Sequence, residues 1–161
     1  MHARAAELIR ILGLQHHPEG GHFVEAFRSP DFVSPSDSRG PRAALTVIYF
    51  LLVDGAISRW HRVSSDEAWH WYEGSPLELL SVAPDGGSVF RARLGPVSGN
   101  SAPQHIVPAG WWQAARPLGP YALVGCSVGP GFEYADFTLL SSIAESARPA
   151  FIPESACAEY L

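Results

Sequence analysis

The sequence predicts an all-β domain in which many short strands are joined by tight turns. Fourteen prolines and fifteen glycines are spread over 161 residues, which requires frequent chain reversals and disfavours a helical bundle. From Ala43 onward, runs rich in β-branched and aromatic residues recur about every ten residues, with turn residues between them. This spacing is typical of a β-sandwich or a β-barrel.

A short helical segment is predicted at each end of the chain. Residues 3–12 place apolar side chains at helical spacing, and Gly13 is suited to end the helix. After Ser141 we expect a helical turn, which Pro149 and Pro153 keep short.

The strands between these ends are predicted from local pattern. The segment 29–41 is rich in Ser, Pro, Asp and Gly, so we expect an exposed, mobile loop there. The turn Asp85-Gly86-Gly87 indicates a β-hairpin. The predicted strands are residues 22–28, 43–53, 58–63, 68–72, 77–82, 89–94, 104–107, 112–115, 121–128 and 132–139.

Composition and charge exclude several classes of function. The net charge is −5, so the chain lacks the basic character of nucleic-acid-binding proteins. The longest apolar stretch, residues 43–53, is too short to span a bilayer, and we expect no membrane association. The only cysteines are Cys126 and Cys157, which favours reduced thiols and a cytoplasmic location. We expect residues 1–161 to form one domain with a core of about 14–140.

Strand alternation predicts which side chains meet inside the domain. Residues two apart share one face of a strand, so three neighbouring segments each present one set of side chains to the interior. An interior of this composition is an aromatic pocket with a few polar groups, which is typical of a small-molecule site. The predicted lining residues are Arg59, His61, Glu67, Trp69, Trp71, Trp111 and Gln113.

Two spaced motifs carry a family resemblance. They are Gly55-x5-His61-x-Val63-x3-Glu67-x6-Gly74 and Pro108-Ala109-Gly110-Trp111-Trp112-Gln113. Both resemble the motifs of the cupin superfamily, and together with His16-His17-Pro18-Glu19-Gly20-Gly21 they are similar to the DUF985 family, also called cupin type 5. The resemblance covers roughly residues 5 to 140 and implies a double-stranded β-helix, or jelly-roll barrel, commonly homodimeric. It implies no established activity.

The resemblance also implies a metal site, from which this chain departs. Metal-binding cupins offer His, His and Glu in the first motif and His in the second. The matching positions here hold His61, Val63, Glu67 and Gln113. Valine cannot coordinate an ion and a neutral amide is a weak ligand. A divalent metal held by His61, Glu67 and Gln113 is therefore one hypothesis, and the absence of any required cofactor is the other.

His61 and Glu67 allow two interpretations. The imidazole can be a structural group that is hydrogen-bonded to Glu67 inside the barrel. The same contact is the geometry of a general acid/base pair. The polar segment before strand 22–28 is a further candidate, because His17 and Glu19 could cap one mouth of the barrel.

Three functions remain open from sequence alone. The first is a metal-independent isomerase or epimerase for a sugar- or nucleotide-like ligand, with His61 and Glu67 moving a proton, Arg59 holding an anionic group and the tryptophans stacking on the ring. The second is a binding protein without catalysis. The third is a metal-dependent cupin enzyme. A homodimer is expected, since pairing would cover open sheet edges.

Overall fold

Two antiparallel β-sheets face each other in the computed structural model, which describes residues 1–53, 55–148 and 160. One helix, α1, precedes them at Ala3–Leu12. The strands are β1 Gln15–His16, β2 His22–Arg28, β3 Phe32–Val33, β4 Arg42–Ala43, β5 Thr46–Val53, β6 Ser58–Val63, β7 Asp66–Gly74, β8 Leu77–Val82, β9 Phe90–Leu94, β10 Gln104–Val107, β11 Trp112–Pro117, β12 Tyr121–Gly129 and β13 Phe137–Leu139.

The sheet topology sets which strands border the interior. The first sheet has the order β1-β2-β5-β12-β7-β10 and the second the order β13-β6-β11-β8-β9, while β3 and β4 form a separate short ribbon. Strands β6 and β7 are consecutive in the chain but lie in opposite sheets. This connection brings their side chains to the interior from two sides, as the jelly-roll prediction requires.

The helix begins and ends as predicted. Gly13 adopts φ 66°, the left-handed conformation that terminates many helices, and its N–H bonds to the carbonyl of Ile9. The apolar face of α1 packs on the outer side of the first sheet against Leu51 and Leu123, with Ala5 and Leu8 buried in the contact. No helix in the described part of the chain is long and apolar enough to cross a membrane.

Two hydrophobic clusters fix the barrel. The cluster between the sheets contains Phe50, Leu77 and Trp69, all fully buried. The second cluster covers the opposite face of the second sheet, where Trp60 and Trp112 pack in one cluster with Leu140 and Tyr160. Burying three tryptophans contributes several kcal/mol each, on the order of 3–5 kcal/mol when such a side chain is removed.

Most predicted strands are confirmed within two residues at each end, and two segments need correction. The predicted strand 43–53 is interrupted after Ala43 and resumes at Thr46. The predicted strand 132–139 is a 3-10 turn, Tyr134–Asp136, followed by the short β13. Within this turn the carboxylate of Asp136 accepts hydrogen bonds from Arg42 at 2.7 and 2.9 Å, a tertiary contact that the local pattern does not reveal.

The loop 29–41 and the C-terminal helical turn can also be compared with their predictions. The loop 29–41 is largely exposed, as expected, yet it is anchored, because Arg39 bonds to Asp37 and to Ser65. At the C-terminal end the predicted helical turn is present as two short 3-10 helices, Leu140–Ser142 and Glu145–Ala147. Pro149, Pro153 and Cys157 lie outside the described residues.

Three β-bulges change which side chains point inward. In β6, His61 pairs with Gln113 and Ser58 with Ala115, so three steps along β6 match two along β11. The register of β2 on β5 shifts between Glu25 and Phe27 in the same way, and that of β7 on β12 shifts beside Trp71. An inserted residue lets side chains three positions apart share one face of a strand. Strict alternation therefore fails at these points.

Candidate functional site

A cavity of about 120 Å³ opens between the two sheets at one end of the barrel. Its wall is assembled from β2, β5, β6, β7 and β12 together with the turn before β2 and the segment after β12. It combines buried polar groups with aromatic rings. The lining residues are His17, Glu19, Phe23, Glu25, Arg28, Thr46, Ile48, His61, Val63, Glu67, Cys126, Val128, Phe132, Glu133, Tyr134 and Phe137.

His61 lies at the closed side of this cavity with both ring nitrogens engaged. Nδ1 is 2.8 Å from the carbonyl oxygen of Arg59, and because a carbonyl only accepts, Nδ1 must carry a proton. Nε2 lies 3.2 Å from Oε2 of Glu19. The expected hydrogen bond from His61 to Glu67 is therefore corrected: the carboxyl that contacts the imidazole belongs to Glu19.

Glu19 reaches His61 from the turn before β2. Its Oε1 accepts a hydrogen bond from Oγ of Ser58 at 2.9 Å, a contact that the bulge in β6 makes available. Its backbone carbonyl accepts from the N–H of Arg59 at 2.9 Å. The side chain is only 9% exposed, so the carboxyl group is buried with two polar partners.

The glycine pair after Glu19 allows this close approach. Gly20 has φ 114° and Gly21 φ 68°, conformations that L-residues with side chains rarely adopt. A Cβ atom at Gly20 would collide with the carbonyl oxygen of Ile57, and one at Gly21 would lie 2.8 Å from that of Leu51. The turn therefore presses its backbone directly onto the barrel.

His17 completes the same polar cluster. Its Nδ1 accepts a hydrogen bond from the N–H of Glu19 at 3.2 Å and lies 3.6 Å from Oε2 of that carboxyl group. The side chain is 6% exposed. His17 and Glu19 thus lie within the cavity wall, where the sequence suggested a cap over one mouth.

Glu67 is held by a second chain of hydrogen bonds. Nε2 of Gln113 donates to Oε2 of Glu67 at 2.6 Å, and Oε1 of Gln113 accepts from Nε1 of Trp69 at 2.9 Å. Both ends of the amide are occupied and its orientation is fixed. Cys126 lines the cavity beside Glu67.

The tryptophans predicted at the site are not among the residues that line this cavity. Trp69 and Trp71 do face inward, but they lie roughly 7 and 13 Å farther along β7 than Glu67, at about 3.3 Å per residue. There they fill the barrel together with Trp111, packed in or against the core cluster between the sheets. Gln113 is fully buried behind Glu67 and also does not line the cavity.

Arg59 is likewise placed differently from its prediction. The bulge in β6 turns its side chain away from the cavity, and its guanidinium donates to the backbone carbonyls of Pro18 and Glu19. Arg59 therefore fastens the turn that carries Glu19. No atom of Arg59 lines the cavity, so it is not in position to hold an anionic group there.

Residues that the sequence analysis did not single out form the rest of the wall. Phe132, Tyr134 and Phe137 meet edge to face, with ring centroids 5.1 to 6.4 Å apart. At the mouth, Arg28 donates to both Glu25 and Glu133 at 2.8 Å. The alternation of β2 could not reveal that both Glu25 and Arg28 face the cavity, since the bulge between them shifts the pattern.

Burial determines the protonation of the polar cluster. Desolvation raises the pKa of Glu19 and that of Glu67, while the nearby His61 and Gln113 act in the opposite direction on Glu67. Desolvation also lowers the pKa of His61 and of His17. Burial therefore favours neutral forms on both sides of the Glu19–His61 contact.

These residues do not fit a cupin metal ion. Val63 supplies no donor atom, Gln113 has both amide ends bonded to protein, and Nε2 of His61 faces Glu19. Within residues 1–53, 55–148 and 160, no group of three or more His, Cys, Asp or Glu side chains has the arrangement of a metal site. The proposed ligand set His61, Glu67 and Gln113 is not supported by this geometry.

Facing antiparallel sheets around such a cavity define the double-stranded β-helix of the cupins. The chain belongs to DUF985, a family of the cupin superfamily. The sequence model of this family matches residues 6–140. A search of curated proteins finds no match.

Solved structures agree with this assignment. A hypothetical protein from Leishmania major is 31% identical with a TM-score of 0.83, and the match covers 97% of this chain and 96% of that one. A protein from Shewanella oneidensis is also 31% identical, with a TM-score of 0.82 and the same coverage. An oxalate decarboxylase from Bacillus subtilis is 16% identical with a TM-score of 0.59, covering 78% of this chain and 30% of that one, which shows the shared fold alone.

Proposed function

We propose that this protein is a metal-independent enzyme of the isomerase or epimerase kind, which moves a proton on a small ring-sized ligand bound in the barrel cavity. The observation that carries the proposal is the contact between Glu19 and His61, with Glu67 lining the same cavity from the opposite sheet. General acid/base catalysis needs groups that accept and return a proton without large rearrangement.

The hydrogen-bond pattern supports this role. Because Nδ1 of His61 donates to the Arg59 carbonyl, Nε2 is the nitrogen through which the ring can exchange a proton. Glu19 faces Nε2 directly, so one proton serves both groups. Glu67 supplies a second carboxyl group to the cavity, and burial raises its pKa above the ordinary value, which favours its proton-donating form.

The cavity limits the size of the buried part of the ligand. Its volume of about 120 Å³ is below the range of roughly 300–1,000 Å³ that is usual for drug-sized ligands. A cavity of about 150 Å³ holds a benzene molecule. The buried space is therefore smaller than one that encloses a benzene ring, so it takes only part of a sugar ring, and the rest of the ligand would extend outside the mouth.

The proposal is tested by proton exchange into a ligand. Wild-type protein that has been dialysed against EDTA is incubated in D₂O with a panel of cyclic aldoses, ketoses and amino sugars, and deuterium uptake at carbon is followed by NMR. We expect exchange to persist without metal and to fall by at least about 100-fold in His61→Asn. His105→Asn is the matched control, since His105 packs on Phe90 away from the cavity.

The outcomes separate the alternatives. Exchange that requires an added divalent ion, together with one ion per chain by elemental analysis, would establish the metal-dependent enzyme instead. Binding without exchange for every ligand that binds would support a binding protein without catalysis. The second alternative has one structural argument in its favour, because the carboxyl group of Glu67 already accepts a short hydrogen bond from Gln113.

A homodimer remains part of the proposal. In the described part of the chain, β1 pairs only with His22 and Phe23 of β2. The rest of the outer edge of β2 has no paired strand there. Phe27 and Phe32 near this edge are 49% and 70% exposed. A second copy would cover both features. Light scattering should give twice the monomer mass at micromolar concentration, and the double variant Phe27→Ser, Phe32→Ser should shift the measured mass toward that of the monomer.

We also retain a reducing, cytoplasmic location as a proposal, since Cys126 is a free buried thiol.

A further inference from the structure

The charges around the cavity are unbalanced in one direction. Four carboxyl groups line it, those of Glu19, Glu25, Glu67 and Glu133, against the single guanidinium of Arg28. Burial favours the neutral forms of Glu19 and Glu67, so the excess of negative charge rests on the partly exposed Glu25 and Glu133 at the mouth. The two lining imidazoles add little positive charge near neutral pH, because burial lowers the pKa of both His17 and His61. The sequence analysis expected an anionic ligand group held by an arginine, and this wall has the opposite character.

Arg28 is not available to an anion. Its guanidinium makes two hydrogen bonds to Glu25, at 2.8 and 3.0 Å, and one to Glu133 at 2.8 Å. A further bond of 3.1 Å goes to the carbonyl oxygen of Phe132. One positive charge is therefore shared by two carboxylates at the mouth. An incoming anion would have to break these bonds and approach two negative groups, whereas a cation would meet an excess of negative charge.

The aromatic part of the wall suits the same ligand. Phe132 lies edge to face with Tyr134, with interplanar angle 80°, and with Phe137, with interplanar angle 67°. Rings in this arrangement present π faces in different directions around one space. Such a set of faces attracts organic cations, and the attraction is strongest where water is excluded.

We infer that the cavity binds a compact organic cation, namely a protonated amine on a body no larger than one ring. This inference rests on the proposed function in taking the cavity as the ligand site, and it names the class of substrate. The acidic mouth formed by Glu25 and Glu133 would hold the ammonium group, and Phe132, Tyr134 and Phe137 would contact the attached ring.

Three probes of one skeleton test the charge preference. Benzylamine, benzyl alcohol and benzoate are titrated into the full-length protein by calorimetry at neutral pH. We expect benzylammonium to bind at least about tenfold more tightly than benzoate, with the alcohol between them. The difference should shrink as salt is raised, because the carboxylates at the mouth are partly exposed. Equal or tighter binding of benzoate would overturn the inference, and so would the failure of all three to bind at millimolar concentration.

Two variants separate charge from shape. Glu133→Gln removes one negative charge from the mouth and should weaken benzylammonium several-fold while leaving benzyl alcohol unchanged. Asp85→Asn makes the same charge change at an exposed hairpin outside the cavity and should alter neither. A uniform loss for all probes in Glu133→Gln would contradict the inference. Because these titrations measure no turnover, a failure of proton exchange in the earlier experiment would leave the cation preference standing, and a preference for benzoate would leave proton transfer untouched.

Discussion

Nε2 of His61 and Oε2 of Glu19 lie 3.2 Å apart inside the barrel, although the two residues are 42 positions apart in the chain. Nδ1 of the same ring already donates to a backbone carbonyl. The imidazole and the carboxyl group therefore meet through one proton. This contact occupies Nε2, the nitrogen of His61 that a metal ion would need. The pair is instead a buried proton donor and acceptor.

The shared proton should reside on the carboxyl group. Burial raises the pKa of Glu19 and lowers that of His61, and a neutral pair avoids two buried charges. The infrared difference spectrum of wild type minus Glu19→Gln at neutral pH should show the C=O band of a protonated carboxylic acid. If only ionised carboxylate bands appear, the proton lies on the imidazole and this assignment fails.

Replacing Glu67 with Gln should stabilise the protein at alkaline pH. Burial raises the pKa of Glu67 above its ordinary 4.5, so its favourable contribution is full below that value and is lost as pH rises through the folded-state pKa. The advantage of Glu67→Gln in free energy of unfolding should grow with pH across this window, by at most about 1.4 kcal/mol per pH unit. Urea unfolding at several pH values measures it. Glu145→Gln, at an exposed site, should give a constant difference, and a constant difference in Glu67→Gln would refute the predicted burial effect.

Gly20→Ala should both destabilise the fold and disturb the site. The added Cβ would collide with the Ile57 carbonyl, and φ 114° is strained for alanine. We expect a loss of about 2 kcal/mol or more in unfolding free energy. Gly40→Ala is the matched control, since φ is 80° there and no atom lies within 4 Å of the added Cβ, so only the backbone cost of about 1–2 kcal/mol applies. Equal losses in both variants would show that the turn is not pressed on the barrel.

Arg59→Gln should act on ligand binding through Glu19. The guanidinium bonds to the carbonyls of Pro18 and Glu19, and losing such charge-assisted bonds costs roughly 1.5–3 kcal/mol. We expect faster amide hydrogen exchange at Glu19 together with weaker binding of benzylamine. Arg91→Gln, which removes an exposed arginine paired with Glu78, should change neither. Unaltered exchange at Glu19 in Arg59→Gln would show that Arg59 does not position this turn.

Local sequence pattern was sufficient for most of the secondary structure. The apolar spacing of residues 3–12 and Gly13 located α1 at Ala3–Leu12, because helix periodicity and its stop signal are properties of adjacent residues. The motif spacing similarly indicated the family, and it predicted that His61 and Glu67 face one interior; both line the same cavity, from opposite sheets. The segment 132–139 was predicted as one strand, and its Asp136 bonds to Arg42, 94 positions away, a contact that local pattern does not reveal.

The residue pattern alone predicts the all-β class and the family, and it predicts that His61 and Glu67 face one interior. The folded chain adds that Glu19 is the partner of His61, that phenyl and phenol rings line the cavity, and that Arg59 lies behind it. The pattern cannot supply these contacts, because alternation counts residues along one strand. Bulges shift that count within β2 and β6, and a turn from outside both sheets delivers its carboxyl group through contacts that no local pattern encodes.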